Sequence, residues 1–173
     1  MIAADDLLFA DVGLREHAGQ PEMDPLREVD ALVEAQVVDA RFDAVNASLG
    51  LLFDLRTALQ LRESNTGVLV VHDVTEFTWL GTSRAPGRIA HVVAHSEPQH
   101  ENGEVTFLFR MWPPPGADLR IIGRAASFFA GNAKGLPETP PDYAGTDDSA
   151  IRRSIPQWGS HLVINHAVFL DPV

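Results

Sequence analysis

The feature that most constrains this chain is the period of its apolar residues, which is two over much of its length. Val38, Ala40 and Phe42 alternate with Asp39, Arg41 and Asp43. After a polar turn around Asn46–Ser48, Leu49, Leu51, Phe53 and Leu55 line one face, with Asp54 and Arg56 on the other. Successive side chains of a strand point to opposite faces, so this alternation predicts a hairpin of two half-buried strands. The turn Glu63-Ser64-Asn65-Thr66-Gly67 leads into the β-branched run Val68–Val71, and Val74–Leu80 is a further strand, parted from it near His72-Asp73. A second hairpin is expected from Arg88 to Trp112. Ile89, Val92 and Val93 sit on one arm and Val105, Phe107, Phe109 and Met111 on the other, with Ser96–Gly103 as the loop. Pro113-Pro114-Pro115-Gly116 stops that strand, because proline donates no ladder bond. Leu119–Phe129 reads as one long strand bulged at Gly123, residues 131–146 as a surface loop, and His161–Leu170 as the last strand.

Helical signals are few. Asp24 is a good N-cap, Pro25 suits the first helical position, and Leu26, Val29, Leu32 and Val33 follow at helical spacing. They predict a helix over 25–35 whose apolar stripe packs on the sheet. Asp147 or Asp148 caps a short helix carrying Ile151 and Ile155 that ends at Pro156. Residues 1–23, broken by Gly13, Gly19 and Pro21, form an N-terminal arm whose Leu7, Leu8 and Phe9 can dock on the body. Too little helix lies between the strands for a βαβ fold. The expected class is α+β and mostly antiparallel: a sandwich or partly open barrel at 24–173, with one N-terminal helix on the sheet and one short C-terminal helix.

Charge narrows the function. Among 173 residues there are 13 basic and 24 acidic side chains, a net of −11. Residues 1–60 hold 12 acids and 4 arginines (−8), and residues 61–173 hold 12 acids and 9 bases (−3). Nucleic acid and anionic membranes both require a basic footprint, which is missing. No apolar run nears the ~18 residues of a membrane span. The acidic start Met1-Ile2-Ala3-Ala4-Asp5-Asp6 is unlike a signal peptide, so a cytoplasmic location is expected. With no cysteine, disulfides, thiolate catalysis and Cys-type metal sites drop out.

Motifs with chemistry fare poorly. His91-Val92-Val93-Ala94-His95 has Val92 where a zincin needs Glu. On a strand the two histidines stand about 13 Å apart at ~3.3 Å per residue, too far for one zinc ion. His100, among Glu97, Gln99 and Glu101, reads as a solvated turn, His161 and His166 fall on opposite faces of a strand, and His17 and His72 have no informative neighbours. Gly81-Thr82-Ser83-Arg84-Ala85 lacks the final Gly and the following helix of a nucleophile elbow. Gly131-Asn132-Ala133-Lys134-Gly135 is too short for a phosphate loop. Trp79, Trp112 and Trp158 read as core-edge residues. These patterns imply no catalytic residue, metal or cofactor. What remains is the charged face of the first hairpin: Asp39, Arg41, Asp43, Asp54 and Arg56 are the candidate partner-binding residues.

The stretch VDARFDAVNASLGLLFDLRTALQLRESNTGVLVV (Val38–Val71), continued to Thr78-Trp79, and the ending HAVFLDP resemble an uncharacterised family of small β-rich proteins of high-GC bacteria. More loosely, the β-rich layout and acidity are similar to immunity-type proteins of bacterial toxin systems. That second resemblance implies a non-enzymatic protein whose acidic surface binds a basic partner. The alternative is a small-ligand-binding or hydrolytic enzyme with a His/carboxylate pocket in the sheet. A homodimer is also expected, through an unguarded edge at Val68–Val71 or Ile89–Val93 or through the arm Leu7–Phe9.

Overall fold

The structure, a computed structural model, describes residues 1–9, 14–15, 18–81, 88–112 and 116–172. Its strands are β1 (Ile2–Ala3), β2 (Gln36–Asp43), β3 (Ser48–Asp54), β4 (Thr66–His72), β5 (Glu76–Gly81), β6 (His91–Glu101), β7 (Glu104–Trp112), β8 (Ala117–Gly123), β9 (Ala125–Ala133) and β10 (His161–Leu170). A 3-10 turn at Ala4–Leu8 and the helix α1 (Asp148–Ser154) complete the elements. All ten strands belong to one open antiparallel sheet, in the order β1-β10-β9-β4-β3-β2-β6-β7-β8-β5. No helix among the described residues is long and apolar enough to cross a membrane.

The sheet folds over so that its two halves share a core. Leu49, Leu51 and Phe53 of β3, Leu69 and Val71 of β4 and Phe128 of β9 meet Phe107 and Phe109 of β7 and Leu119 and Ile121 of β8. Two corners make the fold-over. At one, β2 pairs with β6 only through Gln36 and Val37 before the strands part. At the other, the chain leaves β8 at Gly123, Arg124 N–H donates to the His72 carbonyl, and β9 pairs with β4 instead of β7. A Cβ on Gly123 would lie 2.5 Å from Val71 Cγ1 and 2.6 Å from the His72 carbonyl, so only glycine lets the corner close. The single strand expected over Leu119–Phe129 is therefore two strands in different halves of the sheet.

Leu52, Val68, Val70, Phe129, Ala133, Leu162 and Ala167 form a second apolar layer on the other face of β3, β4, β9 and β10. The N-terminal segment covers it: Ala4, Leu7 and Leu8 are buried there, and Asp5 N–H donates to the Trp158 carbonyl. Central strands buried on both faces read as unbroken apolar runs, which explains Leu49–Phe53 and Val68–Val71.

Three expectations are corrected. First, residues 24–35 form consecutive turns, not a helix. Asp24 caps as predicted, its carboxylate accepting from Leu26 N–H, and one turn forms as Glu28 N–H reaches the Asp24 carbonyl. The backbone then enters the left-handed region at Asp30 (φ 64°) and Glu34 (φ 65°). Asp30 N–H donates to the Ser96 carbonyl and Glu34 N–H to that of Val93, so the segment bonds to β6 in place of itself. Leu26 and Leu32 are buried, as their spacing required, while Val29 is half exposed. Secondly, Ser96–Gly103 is not a loop. Strands run to Glu101 and restart at Glu104 across Asn102 (φ 52°) and Gly103 (φ 79°), the two-residue turn that suits a twisted hairpin. Thirdly, Val68–Val71 is central and Val92 and Val93 lie between β2 and β7, so neither run is a sheet edge, while of the arm Leu7 and Leu8 are buried within their own chain and Phe9 is exposed. By contrast, α1 starts at the Asp147 cap as expected, and the strand at His161–Leu170 is present. The prolines expected to stop the second hairpin, Pro113–Pro115, lie outside the described residues.

Gly131 of β9 pairs with both Thr66 and Ile164 beside the bulge in β10. A Cβ there would strike the Val163 carbonyl and sit 3.1 Å from Ile164 Cα, and both of those are backbone. Gly131→Ala is expected to cost about 1–3 kcal/mol, read as a lower urea midpoint at unchanged slope.

Candidate partner-binding face

Beyond Val37, β2 has β3 on one side and, among the described residues, no ladder partner on the other, so Asp39–Asp43 form a free edge. The charged side chains along it are fixed by short local bonds. Asp39 accepts from Ala40 N–H at 2.9 Å. Asp43 accepts from Val45 N–H at 3.0 Å and from the Asn46 side chain at 2.6 Å. Chiefly the Asn46 side-chain bond, aided by the backbone amides of Val45 and Asn46, holds the Asp43 carboxyl below its usual range. Arg41 lies 3.6 Å from Asp5, with its guanidinium 5.9 Å from the Trp158 ring centre.

Between this edge and the 3-10 turn runs a groove of about 430 Å³, lined by Asp5, Asp6, Leu8, Phe9, Arg41, Phe42 and Asp43. Phe9 is 62% exposed and Phe42 52%. Three carboxylates thus stand around two wet aromatic rings, with one arginine partly neutralised by Asp5.

The five predicted residues separate. Asp39, Arg41 and Asp43 remain on the surface. Asp54 and Arg56 do not, their side chains being 0% and 5% exposed. The Arg56 guanidinium donates twice to Asp54, and also to the carbonyls of Pro137, Thr139 and Ser154. The pair pins the 134–147 segment and the end of α1 to the sheet. Tyr143 closes the same region, its hydroxyl donating to Gln36 at 3.1 Å. Burial, followed by the negative charge of Asp54, pushes its phenol up to about 12. The role of Phe9, Asp5 and Asp6 was not legible, since nothing in the sequence says that the arm crosses to β2.

The histidines do not converge. His91 meets the edge of Trp79, with ring centres 4.8 Å apart, whereas His95 bonds Asp30 at 2.7 Å. His100 is no solvated turn: its Nε2 bonds the Leu26 carbonyl at 2.7 Å and ties the 24–35 segment to β6. His166 approaches Glu63. His72 lies 3.3 Å from the Ser48 hydroxyl on the wall of a separate pocket of about 550 Å³, and burial, partly opposed by Asp73, lowers its pKa. Among the described residues no three His, Asp or Glu are grouped to hold a metal. His17 and the Thr82-Ser83-Arg84-Ala85 stretch, compared above with a nucleophile elbow, lie outside the described residues. Compared with protein-family models, curated proteins and solved structures, the chain matches none.

Two measurements check the buried pin. Arg56→Ala leaves Asp54 buried without its cation and is expected to cost about 3–5 kcal/mol in chemical denaturation. The chain has one tyrosine, so the ultraviolet band of tyrosinate reports Tyr143 alone. Its midpoint is expected near 12, not the ordinary 10. Because the fold favours the neutral phenol, this contribution to stability is complete below pH 10 and is lost as pH rises towards 12.

Proposed function

We propose that this chain is a non-enzymatic protein-binding domain whose groove between the 3-10 turn and β2 receives a basic, apolar segment of another protein. The supporting observation is the pairing of Phe9 and Phe42, both largely exposed, with Asp5, Asp6 and Asp43 in one concavity. Exposed aromatic rings anchor a partner by desolvation, and surrounding carboxylates select for and steer a cationic one. The overall charge of −11 acts in the same direction at longer range. The arrangement suits an immunity-like role, in which an acidic surface occupies a basic partner in the cytoplasm.

A labelled peptide of alternating lysine and leucine is a direct probe. Fluorescence anisotropy is expected to show binding at ~50 mM salt that weakens at least ~10-fold at ~500 mM, where screening shortens the reach of each charge. Phe42→Ser and Asp6→Asn should each weaken it at low salt, whereas Asp142→Asn, which is not part of the groove lining, should not. Equal loss in Asp6→Asn and Asp142→Asn, with none in the uncharged exchange Phe42→Ser, would assign the binding to net charge and remove the groove from the account.

One observation favours a second reading, in which the Ser48–His72 contact marks a small-ligand or hydrolytic site. Turnover of p-nitrophenyl acetate that vanishes in both Ser48→Ala and His72→Gln would establish it in place of the first.

A further inference from the structure

Sheet edges recruit other strands unless they are blunted, and most edges among the described residues are. The outer side of β10 beyond β1 is met by Gly19, which donates to the Asn165 carbonyl and accepts from Ala167 N–H. β1 is two residues long. The free side of β2 carries Asp39, Arg41 and Asp43, and Asp39 occupies the Ala40 amide. β6, where it has left β2, is covered by 30–35 through the bonds from Asp30 and Glu34. The remaining edge is β5. It pairs with β8 from Glu76 to Gly81 and with nothing else among the described residues. Its sequence, Glu-Phe-Thr-Trp-Leu-Gly, holds no lysine or proline, and its pairing with β8 has no bulge. Phe77, Trp79 and Leu80 are 42%, 41% and 67% exposed.

We propose that β5 is the contact through which a second copy of this chain joins, antiparallel, into one continuous sheet. The sequence of the edge is self-complementary in one register. With Thr78 of each copy on the two-fold axis, Phe77 of one copy stands opposite Trp79 of the other, twice, and Glu76 stands opposite Leu80. Cross-strand aromatic pairs are among the favourable ones, and like charges directly opposite are unfavourable. This register gives two aromatic pairs and sets the single carboxylate of the strand against an apolar residue. Glu76 keeps its own partner, Arg120, 3.6 Å away on β8. A two-fold contact must use one patch twice, and the alternation of β5 about Thr78 meets that condition.

Six residues on each side make a small interface, so the dimer is weak and populated near ~100 μM. Each copy carries −11, and that repulsion is screened by salt. Self-association therefore strengthens with ionic strength, opposite to the partner binding proposed above, and the two contacts are distinguishable in one salt series.

Sedimentation of the full chain at ~100 μM is expected to move from 18.9 kDa towards 2 × 18.9 = 37.8 kDa as salt rises. Thr78→Lys places two ammonium groups together on the axis and should return the monomer. Leu80→Lys places an ammonium opposite Glu76 of the second copy and should tighten the dimer. The chain has no cysteine, so Thr78→Cys gives one thiol on the axis, and mild oxidation should cross-link it well ahead of Val45→Cys in the exposed β2–β3 turn. A monomeric mass throughout the salt series overturns the proposal. So does cross-linking of Thr78→Cys no faster than of Val45→Cys. Weakening by both lysines overturns it too, since a generic apolar patch, and not this register, would then make the contact.

Discussion

Three neighbouring strands, β3, β4 and β9, are buried on both faces, and the rest of the structure follows from that burial. Burying one face of a sheet needs one cover, whereas burying two needs two. One cover is the other half of the same sheet, brought over by the corners at Val37 and Gly123. The second is assembled from what remains: the 3-10 turn at Ala4–Leu8, Trp158, and the segment that precedes β10. Fully burying a leucine or phenylalanine contributes about 1.5–3 kcal/mol. Leu7 and Leu8 alone therefore make the N-terminal segment a structural part of the sheet. Because that segment must cross the outer face to reach its place, it also sets Asp5, Asp6 and Phe9 beside β2. The groove is a by-product of covering the core.

The strands were legible and their neighbours were not. Period-two runs located most strands to within a few residues, since alternation reports burial on one face directly. Which strand lies next to which depends on contacts far apart in the chain, and Val68–Val71 read as an edge because an unbroken apolar run does not reveal its place in the sheet. The segment 25–35 shows the opposite limit. Its spacing predicted which residues are buried, and Leu26 and Leu32 are, but eleven residues cannot hold a helix alone. Amides bonded to β6 won over amides bonded within the segment. The Asn102-Gly103 turn differs in kind: its signal was present in the sequence, hidden by the polar residues of Ser96–Glu101 that made the flanking strand look like loop.

The candidate site divided for a related reason. Asp39, Arg41, Asp43, Asp54 and Arg56 carry the same alternating pattern, and in sequence a charge on a wet face looks like a charge under a cover. Asp54 sits where the 134–147 segment closes over the sheet, so its carboxylate could be buried only with Arg56 attached and with carbonyls to take the remaining guanidinium hydrogens. A buried pair of that kind does little for net stability against an apolar substitute, yet it fixes geometry, since either half alone is costly. It holds Ser154, Pro137 and Thr139 in one arrangement. Tyr143 shares the confinement, and its raised phenol pKa reflects the same exclusion of water.

The surface carboxylates of β2 are held in another way, and the difference bears on binding. Asp39 and Asp43 already bond their own backbone and, for Asp43, Asn46, so their side chains are ordered before any partner arrives. A long cationic side chain meeting a disordered carboxylate must order both, at roughly 0.5–1.5 kcal/mol for each immobilised side chain. Here the fold has ordered one of the two beforehand. The same bonds leave each carboxylate with acceptor capacity to spare, since an ionised carboxylate accepts about four hydrogen bonds and Asp43 uses those of the Asn46 side chain and of the Val45 and Asn46 amides. The local capping that blunts the β2 edge against strand addition therefore also preorganises it for cations. For that reason the guarded edge, and not the bare one at β5, is the face proposed for a basic partner.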